Sequence, residues 1–336
     1  MSSTPTARLA VLVIAVALTI TACGSAAQSP ASDAAAGDTT TEAAGDAGPP
    51  SATPEASEVA YPVTVTAANG EVTISERPES IVTLSPTATE MLFAIDAGDQ
   101  VAAADDFSNY PSEAPTTDLS GFEPNVEAIA GYEPDLVVIA DDSGDLSAAL
   151  AELDIPVMVH PAASTLDDAY QQIEQLGTAT GHAAQAAALV EQLRSEIDKI
   201  VADVPTPDEP LTYYHELDDT YYSVTSDTFI GQIYELFGLR NIADGAGAGG
   251  GGYPQLSEEF IIDADPDLIF LADTKCCGQS AETVAERPGW EQISAVRNDA
   301  VIELDDDIAS RWGPRIVDLV RTIGDAVTAH VEASGS

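Results

Sequence analysis

The sequence predicts an α/β protein with two parallel-sheet α/β lobes joined by a single long helix. Short, continuous apolar runs alternate with helical patterns, which is typical of parallel strands that are buried on both faces. One block of sequence occurs twice, at an offset of 132 positions from Asn125 to Ser257. A long amphipathic segment lies between the two copies, where a helix would connect them.

The repeated block contains a short helix with acidic residues in its first turn, then a proline turn and an apolar strand. The first copy spans 125–141 and the second spans 257–273, so Glu127 corresponds to Glu259. Internal repetition of this length points to repetition of a structural unit, and we therefore expect two lobes of related plan.

These patterns set the boundaries of the predicted parts. We place the N-terminal lobe at 61–163, two connecting helices at 164–204 and the C-terminal lobe at 205–332. The second connecting helix has about 20 residues and would be about 30 Å long. That length suits a rigid strut between two lobes.

Two local patterns predict where a helix begins and where a hairpin turns. Ser164 and Asp167 have the spacing of a helix cap and its partner three residues further on. Asn69-Gly70 stands between alternating apolar residues, which predicts a two-residue hairpin turn ahead of the first lobe.

The first 22 residues are typical of a secretory signal peptide. Arg8 is the only charge, and 9–20 is an uncharged apolar run too short for a transmembrane helix. The segment ends at Cys23, as in the bacterial lipoprotein box that it resembles, which predicts lipidation of that thiol. Ordinary secretion with an incidental cysteine is the alternative. Residues 23–60 are small and polar, which predicts a disordered tether.

The composition is strongly acidic, with 57 Asp and Glu residues against 11 Lys and Arg residues and a formal net charge of -46. Nucleic-acid binding needs basic surface and is excluded on this ground. Attraction to anionic lipid is excluded for the same reason. Two interpretations stay open: a solubilising surface suited to a saline habitat, and a partner whose surface is basic.

Two further cysteines, Cys276 and Cys277, are adjacent in the sequence. A vicinal disulfide between them and a pair of free thiols are equally compatible with an exported protein. A metal site is not expected, because no nearby histidine completes a ligand set. Nothing in the sequence assembles a nucleophile, a base and an oxyanion hole, so we expect no catalytic residues and no enzyme activity.

Aromatic residues occupy several loops that follow predicted strands or adjoin them. Ligands of parallel α/β sheets bind beyond the carboxyl ends of the strands. Each aromatic residue alone is more often a packing residue, but together they predict an apolar cleft between the lobes. The predicted cleft residues are Tyr110, Phe122, Tyr222, Tyr253 and Trp312.

From Tyr61 onward the chain resembles the substrate-binding proteins of ABC importers for cobalamin, ferric siderophores and haem. The resemblance is carried by Leu-Ser-Pro-Thr-Ala-Thr-Glu at 84–90, Ser-Asn-Tyr-Pro at 108–111, Pro-Arg-Ile at 314–316 and the two glutamate-bearing repeats. It implies a fold of two α/β lobes bridged by one long helix, with a cleft that closes only slightly.

The resemblance also implies roles for individual residues. Glu127 and Glu259 match the glutamates, one on each lobe, that dock on a permease dimer with its ATPase. Acidic residues favoured by the helix dipole are the alternative interpretation. Tyr110, Phe122, Tyr222 and Tyr253 match cleft positions, whereas Trp312 and the paired cysteines depart from the family pattern.

The same resemblance leaves the identity of the ligand open. We expect a monomer on the outer face of the cell membrane, with no cofactor besides its ligand, a cobalt or iron chelate. Cobalamin would be held by stacking and shape. An anionic ferric siderophore would need Arg311, unless that residue is used in a salt bridge. Haem would need Tyr213 or His215 on its iron. For His215, the alternative is a residue at the end of a strand that makes a hydrogen bond. This fold would also suit a membrane-tethered enzyme or an interaction protein.

Overall fold

The computed structural model describes residues 60–246 and 250–334. The predicted signal peptide at 1–22, the lipidation of Cys23 and all but the last residue of the predicted tether at 23–60 lie outside the described residues.

An antiparallel hairpin of β1 (Val63–Ala67) and β2 (Gly70–Ile74) precedes the first lobe. Its two turn residues are Ala68 and Asn69, one position earlier than predicted. The Asn69 amide donates to the Val157 carbonyl oxygen at 2.9 Å, which fixes the turn against the neighbouring sheet. This contact with a distant strand moves the turn, and the local sequence does not reveal it.

The N-terminal lobe is a four-stranded parallel sheet with the strand order β4-β3-β5-β6. Its central strands, β3 and β5, are buried along their whole length. The continuous apolar sequence of β5 predicts this burial. The elements, in chain order, are β3 (Ile81–Leu84), α1 (Pro86–Ala94), β4 (Val101–Ala104), α2 (Val126–Ala130), β5 (Leu136–Ile139), α3 (Leu146–Ala151) and β6 (Val157–Val159).

Two helices connect the lobes, α4 (Leu166–Thr180) and α5 (Ala183–Asp203). Gly181, at φ +83°, ends α4 in the left-handed conformation that glycine adopts without strain. Helix α4 packs against β1 and α1 as well as α5, so it belongs to the N-terminal lobe. Helix α5, with 21 residues, is the single long helix that joins the two lobes.

The predicted cap of α4 is wrong by one residue. Thr165 caps the helix, its hydroxyl accepting from the Asp168 backbone N–H at 3.1 Å, and Asp168 closes the capping box. Asp167 points outward and pairs with Arg194 of α5 at 2.7 Å. Burial decides where the helix begins. With Thr165 as the cap, Ala169 and the other residues on the same face of the helix lie in the core.

The C-terminal lobe repeats the plan, with a parallel sheet in the order β10-β9-β7-β8. Strand β9, like its counterpart β5, is buried at every position. The elements are β7 (Thr212–Glu216), α6 (Phe229–Glu235), β8 (Arg240–Asn241), α7 (Glu258–Ala264), β9 (Leu268–Leu271), α8 (Ala281–Ala285), α9 (Ser294–Arg297), β10 (Val301–Glu303), α10 (Asp306–Ser310) and α11 (Ile316–Ser334).

One apolar core runs through both lobes and the helices between them. It includes Met91 of the first lobe, Leu193 of α5, and Tyr213 and Val320 of the second lobe. Each lobe has a smaller core on its other face. A shared core resists large hinge motion, since opening the lobes would expose apolar surface to water. No helix of the described segments is both long and apolar enough to cross a membrane.

Candidate ligand-binding cleft

A cleft lies at the carboxyl ends of the strands in the N-terminal sheet. Ser85 follows β3, Asp105 follows β4, and Asp141 comes two positions after β5. Helix α10 and the residues that follow it, to Trp312, form the opposite wall. The enclosed volume is about 480 Å³. Both lobes therefore contribute to one cavity at the edge where parallel sheets bind ligands.

Three aromatic side chains line this cleft. Phe122 is 77% exposed and Phe107 is 54% exposed, and their rings meet edge to face at 5.7 Å. Trp312 faces them from the other lobe, with its indole N–H donating to the Gln172 side chain at 2.7 Å. Exposed aromatic surface of this extent favours a ligand that covers it. Phe107 was not among the predicted cleft residues, although it lies only three residues before Tyr110.

Beneath the cleft, a buried ion-pair network joins the two lobes. Glu90 of α1 is 3% exposed and accepts from Arg311 at 2.8 Å and from Arg315 at 2.9 Å. Arg311 also donates to Asp307 at 2.8 Å and to the Phe107 carbonyl oxygen at 3.0 Å. The ion pairs of Glu90 with Arg311 and Arg315 join residues more than 200 positions apart, and Glu90 and Arg315 belong to segments that carry the family resemblance.

Arg311 was expected either to meet an anionic ligand or to form a salt bridge. The structure contains the salt bridge, and both terminal nitrogens of the guanidinium group are engaged. Arg311 lines the cleft wall, but its charge is already matched by carboxylates. A direct contact with the ligand stays a prediction.

Asp105 forms the floor of the cleft together with a short chain of hydroxyl groups. It is 2% exposed, and burial raises the pKa of its carboxyl group, while the hydrogen bond from Ser108 works in the opposite direction. The Ser108 hydroxyl donates to Asp105 at 2.6 Å and lies 2.8 Å from the Thr89 hydroxyl. Ser108 and Thr89 both belong to segments that carry the family resemblance.

The other predicted aromatic residues lie apart from this cavity. Tyr110 stacks on the Arg315 guanidinium group at 4.2 Å. Tyr253 lines a second groove of about 520 Å³ between the lobes, with Phe229. Tyr222 is bridged to Gln255 by backbone pairing and lines neither cavity. The structure thus brings Phe122, Arg311 and Trp312 together, and the ligand contacts of the other three stay predictions.

Tyr213 and His215 cannot serve as haem ligands in this cleft. Both are 0% exposed and lie within β7, in the core of the second lobe. His215 is hydrogen-bonded through Nδ1 to the Tyr234 hydroxyl at 2.7 Å, and burial lowers the pKa of the imidazole to about 3. The haem-ligand role expected of either residue was wrong, because the layers packed over the sheet bury both side chains. The alternative for His215, a hydrogen-bonded residue near the end of a strand, is confirmed.

The C-terminal sheet ends in a buried charged cluster that no pattern in the sequence indicates. Glu216 is 0% exposed and is held by Arg287 through two hydrogen bonds of 2.7 and 2.5 Å. Asp273, the repeat counterpart of Asp141, is also 0% exposed, and neither of its carboxyl oxygens accepts a hydrogen bond from the described residues. When protonated, it can donate one to Glu216. Burial, followed by the Glu216 charge, raises the pKa of Asp273 to about 7.

Glu127 and Glu259 occupy equivalent places, as the repeat predicts. Each is the second residue of its helix, after a cap formed by Asn125 in α2 and by Ser257 in α7. Both side chains are exposed. The geometry is that of two matched surface anions, one on each lobe, and their docking role stays a prediction.

Cys276 and Cys277 are exposed, unbonded thiols with their sulfur atoms 2.7 Å apart. Asp306 holds this turn, accepting from the Lys275 and Cys276 backbone N–H groups at 2.9 Å each. Burial, and then the neighbouring Cys277, raise the pKa of Cys276 to about 12, so its thiol is neutral at physiological pH. A vicinal disulfide stays a prediction.

Within the described ranges, no group of three or more histidine, cysteine or acidic side chains is arranged to hold a metal ion.

Residues 81–308 match the family described as periplasmic binding protein. A Bacillus subtilis protein named as an uncharacterised ABC transporter substrate-binding lipoprotein, YvrC, is 31% identical over 270 residues, covering 78% of this chain and 83% of the relative.

Two further comparisons agree on the fold. A cobalamin-binding protein of Halobacterium salinarum is 29% identical over 269 residues, which cover 77% of this chain and 72% of the relative. The solved structure of the periplasmic heme-binding protein RhuT from Roseiflexus sp. superimposes with a TM-score of 0.66 at 24% identity, covering 75% of this chain and 99% of that one.

These matches confirm the predicted fold of two parallel-sheet lobes. The chain belongs to the periplasmic binding protein family, whose members bind and deliver small-molecule substrates for transport and are not enzymes.

Proposed function

We propose that this protein is the lipid-anchored, extracytoplasmic substrate-binding protein of an ABC importer. It captures a metal chelate, in the first place a cobalamin-type corrinoid and otherwise a ferric siderophore, and delivers it to the permease dimer with its ATPase. The names of two relatives support the importer role and the ligand, since one is called an ABC transporter substrate-binding lipoprotein and the other a cobalamin-binding protein.

The observation that carries the choice of ligand is the aromatic cleft between the lobes. Phe107 and Phe122 on one side and Trp312 on the other present apolar surface to a shared cavity. A macrocycle or a chelate ring offers broad apolar faces to such side chains, and stacking is worth about 0.5–1.5 kcal/mol per aromatic pair beyond the area that it buries. Haem has less support, because Tyr213 and His215 are buried.

A thermal-shift panel tests this proposal. We expect cobalamin or cobinamide to raise the melting temperature of the purified protein on the order of 5 °C at saturating concentration, because binding to the folded state alone stabilises it. The panel also contains haem and several ferric siderophores. If no chelate in the panel changes the melting temperature, the protein is not a chelate receptor.

Substitution at the cleft locates the site. Phe122 is 77% exposed, so Phe122→Ala should leave folding intact and weaken binding of the bound chelate about tenfold through loss of stacking. The matched control is Tyr132→Ala, an exposed aromatic residue outside this cleft, which should not change affinity. Isothermal titration measures both; equal affinities of the two variants would place the ligand elsewhere.

A further inference from the structure

The lining of the cleft contains more acidic than basic side chains. Of the described residues that line it, Asp105, Asp141 and Asp307 are acidic and only Arg311 is basic. In a cavity of about 480 Å³, each of these charges lies within a Debye length of any ligand that fills it. The charge of the lining therefore affects which ligand binds.

The positive charges beside the cleft are all matched by carboxylates. Arg311 is paired with Glu90 and Asp307, each at 2.8 Å, and Arg315 with Glu90. Lys275 lies between Asp305 at 2.7 Å and Asp307 at 2.9 Å. A ligand carboxylate would have to break one of these pairs, and a buried carboxylate left without its partner is costly.

Two acidic groups of the lining form no salt bridge with any cationic group in the described part of the chain. Asp141 is exposed at the cleft and is hydrogen-bonded by the Ser143 hydroxyl. Asp105 is 2% exposed on the floor and is hydrogen-bonded by Ser108. Within the network and the lining together, carboxyl groups outnumber cationic groups by two. Because burial raises the pKa of Asp105, the excess negative charge that meets a ligand is carried foremost by the exposed Asp141.

We infer that the cleft selects its ligand by charge: it accepts a metal chelate that is neutral or cationic and rejects one that carries free carboxylates or catecholates. This inference rests on the proposed function and narrows its ligand class. A corrinoid whose side chains are amides fits, as does a ferric hydroxamate with an ammonium group. A catecholate siderophore and haem, with its two propionates, are excluded by the same electrostatics.

The test uses two chelate scaffolds, each prepared in three charge states of nearly constant shape. The first is cyanocobalamin, its monocarboxylic acid in which one propionamide is hydrolysed, and the aminoethylamide made from that acid. The second is a linear ferric trihydroxamate with a free amine, its N-acetyl derivative and its N-succinyl derivative. Each ligand is titrated into the full chain, purified in detergent, at low and at high salt.

We expect affinity to follow charge on whichever scaffold binds. The cationic form should bind tightest and the anionic form weakest, with about a threefold to tenfold change per unit charge at low salt. High salt should reduce the differences in affinity among the three charge forms, since screening weakens attraction and repulsion alike. Asp141→Asn should reduce the difference between the cationic and anionic forms about twofold.

Asp208→Asn is the matched control. It makes the same change in net charge at an exposed position away from the cleft and should leave the series unchanged. Equal affinity for the three forms of a bound scaffold, or tighter binding of the anionic form, overturns the charge selection while the proposed function stands. Binding of neither scaffold in any form overturns both.

Discussion

Asp273 is a buried carboxyl group of the second lobe whose protonation depends on its charged neighbours. It follows β9, is 0% exposed and faces Glu216 of β7, whose charge Arg287 already neutralises. Asp306 and the Tyr214 hydroxyl are its other polar neighbours. A second negative charge in this position is unfavourable, so the folded protein favours the protonated form of Asp273.

This arrangement predicts a pH dependence of stability. The pKa of Asp273 rises from 3.8 to about 7 on folding, so the folded state binds more protons than the unfolded state between these values. The associated stability is present below about pH 4 and is lost as the pH rises through 7. Asp273→Asn, which stays neutral and can donate to Glu216, should raise the free energy of unfolding at pH 8 by about 1 to 2 kcal/mol.

Urea unfolding between pH 4 and pH 8 measures the effect. The wild-type protein should lose stability along this range relative to Asp273→Asn, and the two curves should converge at low pH. Asp325→Asn, an exposed acidic residue on α11, serves as the control and should follow the wild type. Parallel curves for wild type and Asp273→Asn would show that the group is ionised in the folded state.

At the residue scale, the sequence indicated which residues could line a cleft better than it indicated which residues they contact. Phe122 and Trp312 could be placed in a cleft because they stand in loops near strand ends. The partners of Arg311 could not be predicted, since Glu90 is 221 positions away and nothing local links the two. The prediction that Tyr213 or His215 could bind a haem iron was wrong for a related reason, because the burial of a strand residue depends on what packs over the sheet.

At the scale of elements, the repeat was the most informative feature of the sequence. It predicted β5 and β9 from continuous apolar runs, and α2 and α7 from caps followed by glutamates. The start of α4 was off by one residue, because Ser164 and Thr165 can both cap and each is followed by an aspartate three positions later. Only the buried face of the helix decides between them.

The matched helices α2 and α7 lead to a prediction about docking. Glu127 and Glu259 are exposed at the second position of each helix, so their removal should not affect the cleft. The double variant Glu127→Ala with Glu259→Ala should abolish uptake of the chelate into cells while leaving its affinity within about twofold, because two charges that pair across an interface contribute to docking and not to ligand binding.

Uptake of labelled chelate and equilibrium binding measure the two effects separately. The control is Glu123→Ala with Glu291→Ala, which removes two exposed acidic residues at non-equivalent positions. Uptake at the wild-type rate by the docking variant would contradict the role of the two glutamates. Loss of ligand affinity in the same variant would mean that they act on the cleft instead.

At the scale of the whole molecule, the two lobes are held by long-range contacts. The apolar core that runs through both lobes and the ion pairs of Glu90 with Arg311 and Arg315 join segments that are far apart in sequence. The sequence predicted two lobes and a strut but not these contacts, since long-range pairing leaves no local pattern. With the lobes held in this way, ligand capture should require only slight closure.

The last prediction concerns how the binding domain is kept near its importer. If Cys23 carries the lipid, residues 24–60 would link the domain to the membrane surface and keep it at a high effective concentration for the permease. Cys23→Ser should then move the protein from the membrane fraction to the medium or the soluble extracytoplasmic fraction and reduce uptake at least about tenfold. Ligand affinity should not change, because the cleft lies in a separate part of the chain.

Fractionation, uptake and titration on one preparation distinguish the outcomes of the Cys23→Ser change. A variant that stays with the membrane is held by something other than this thiol. A variant that is released but still supports full uptake needs no anchor to reach the permease.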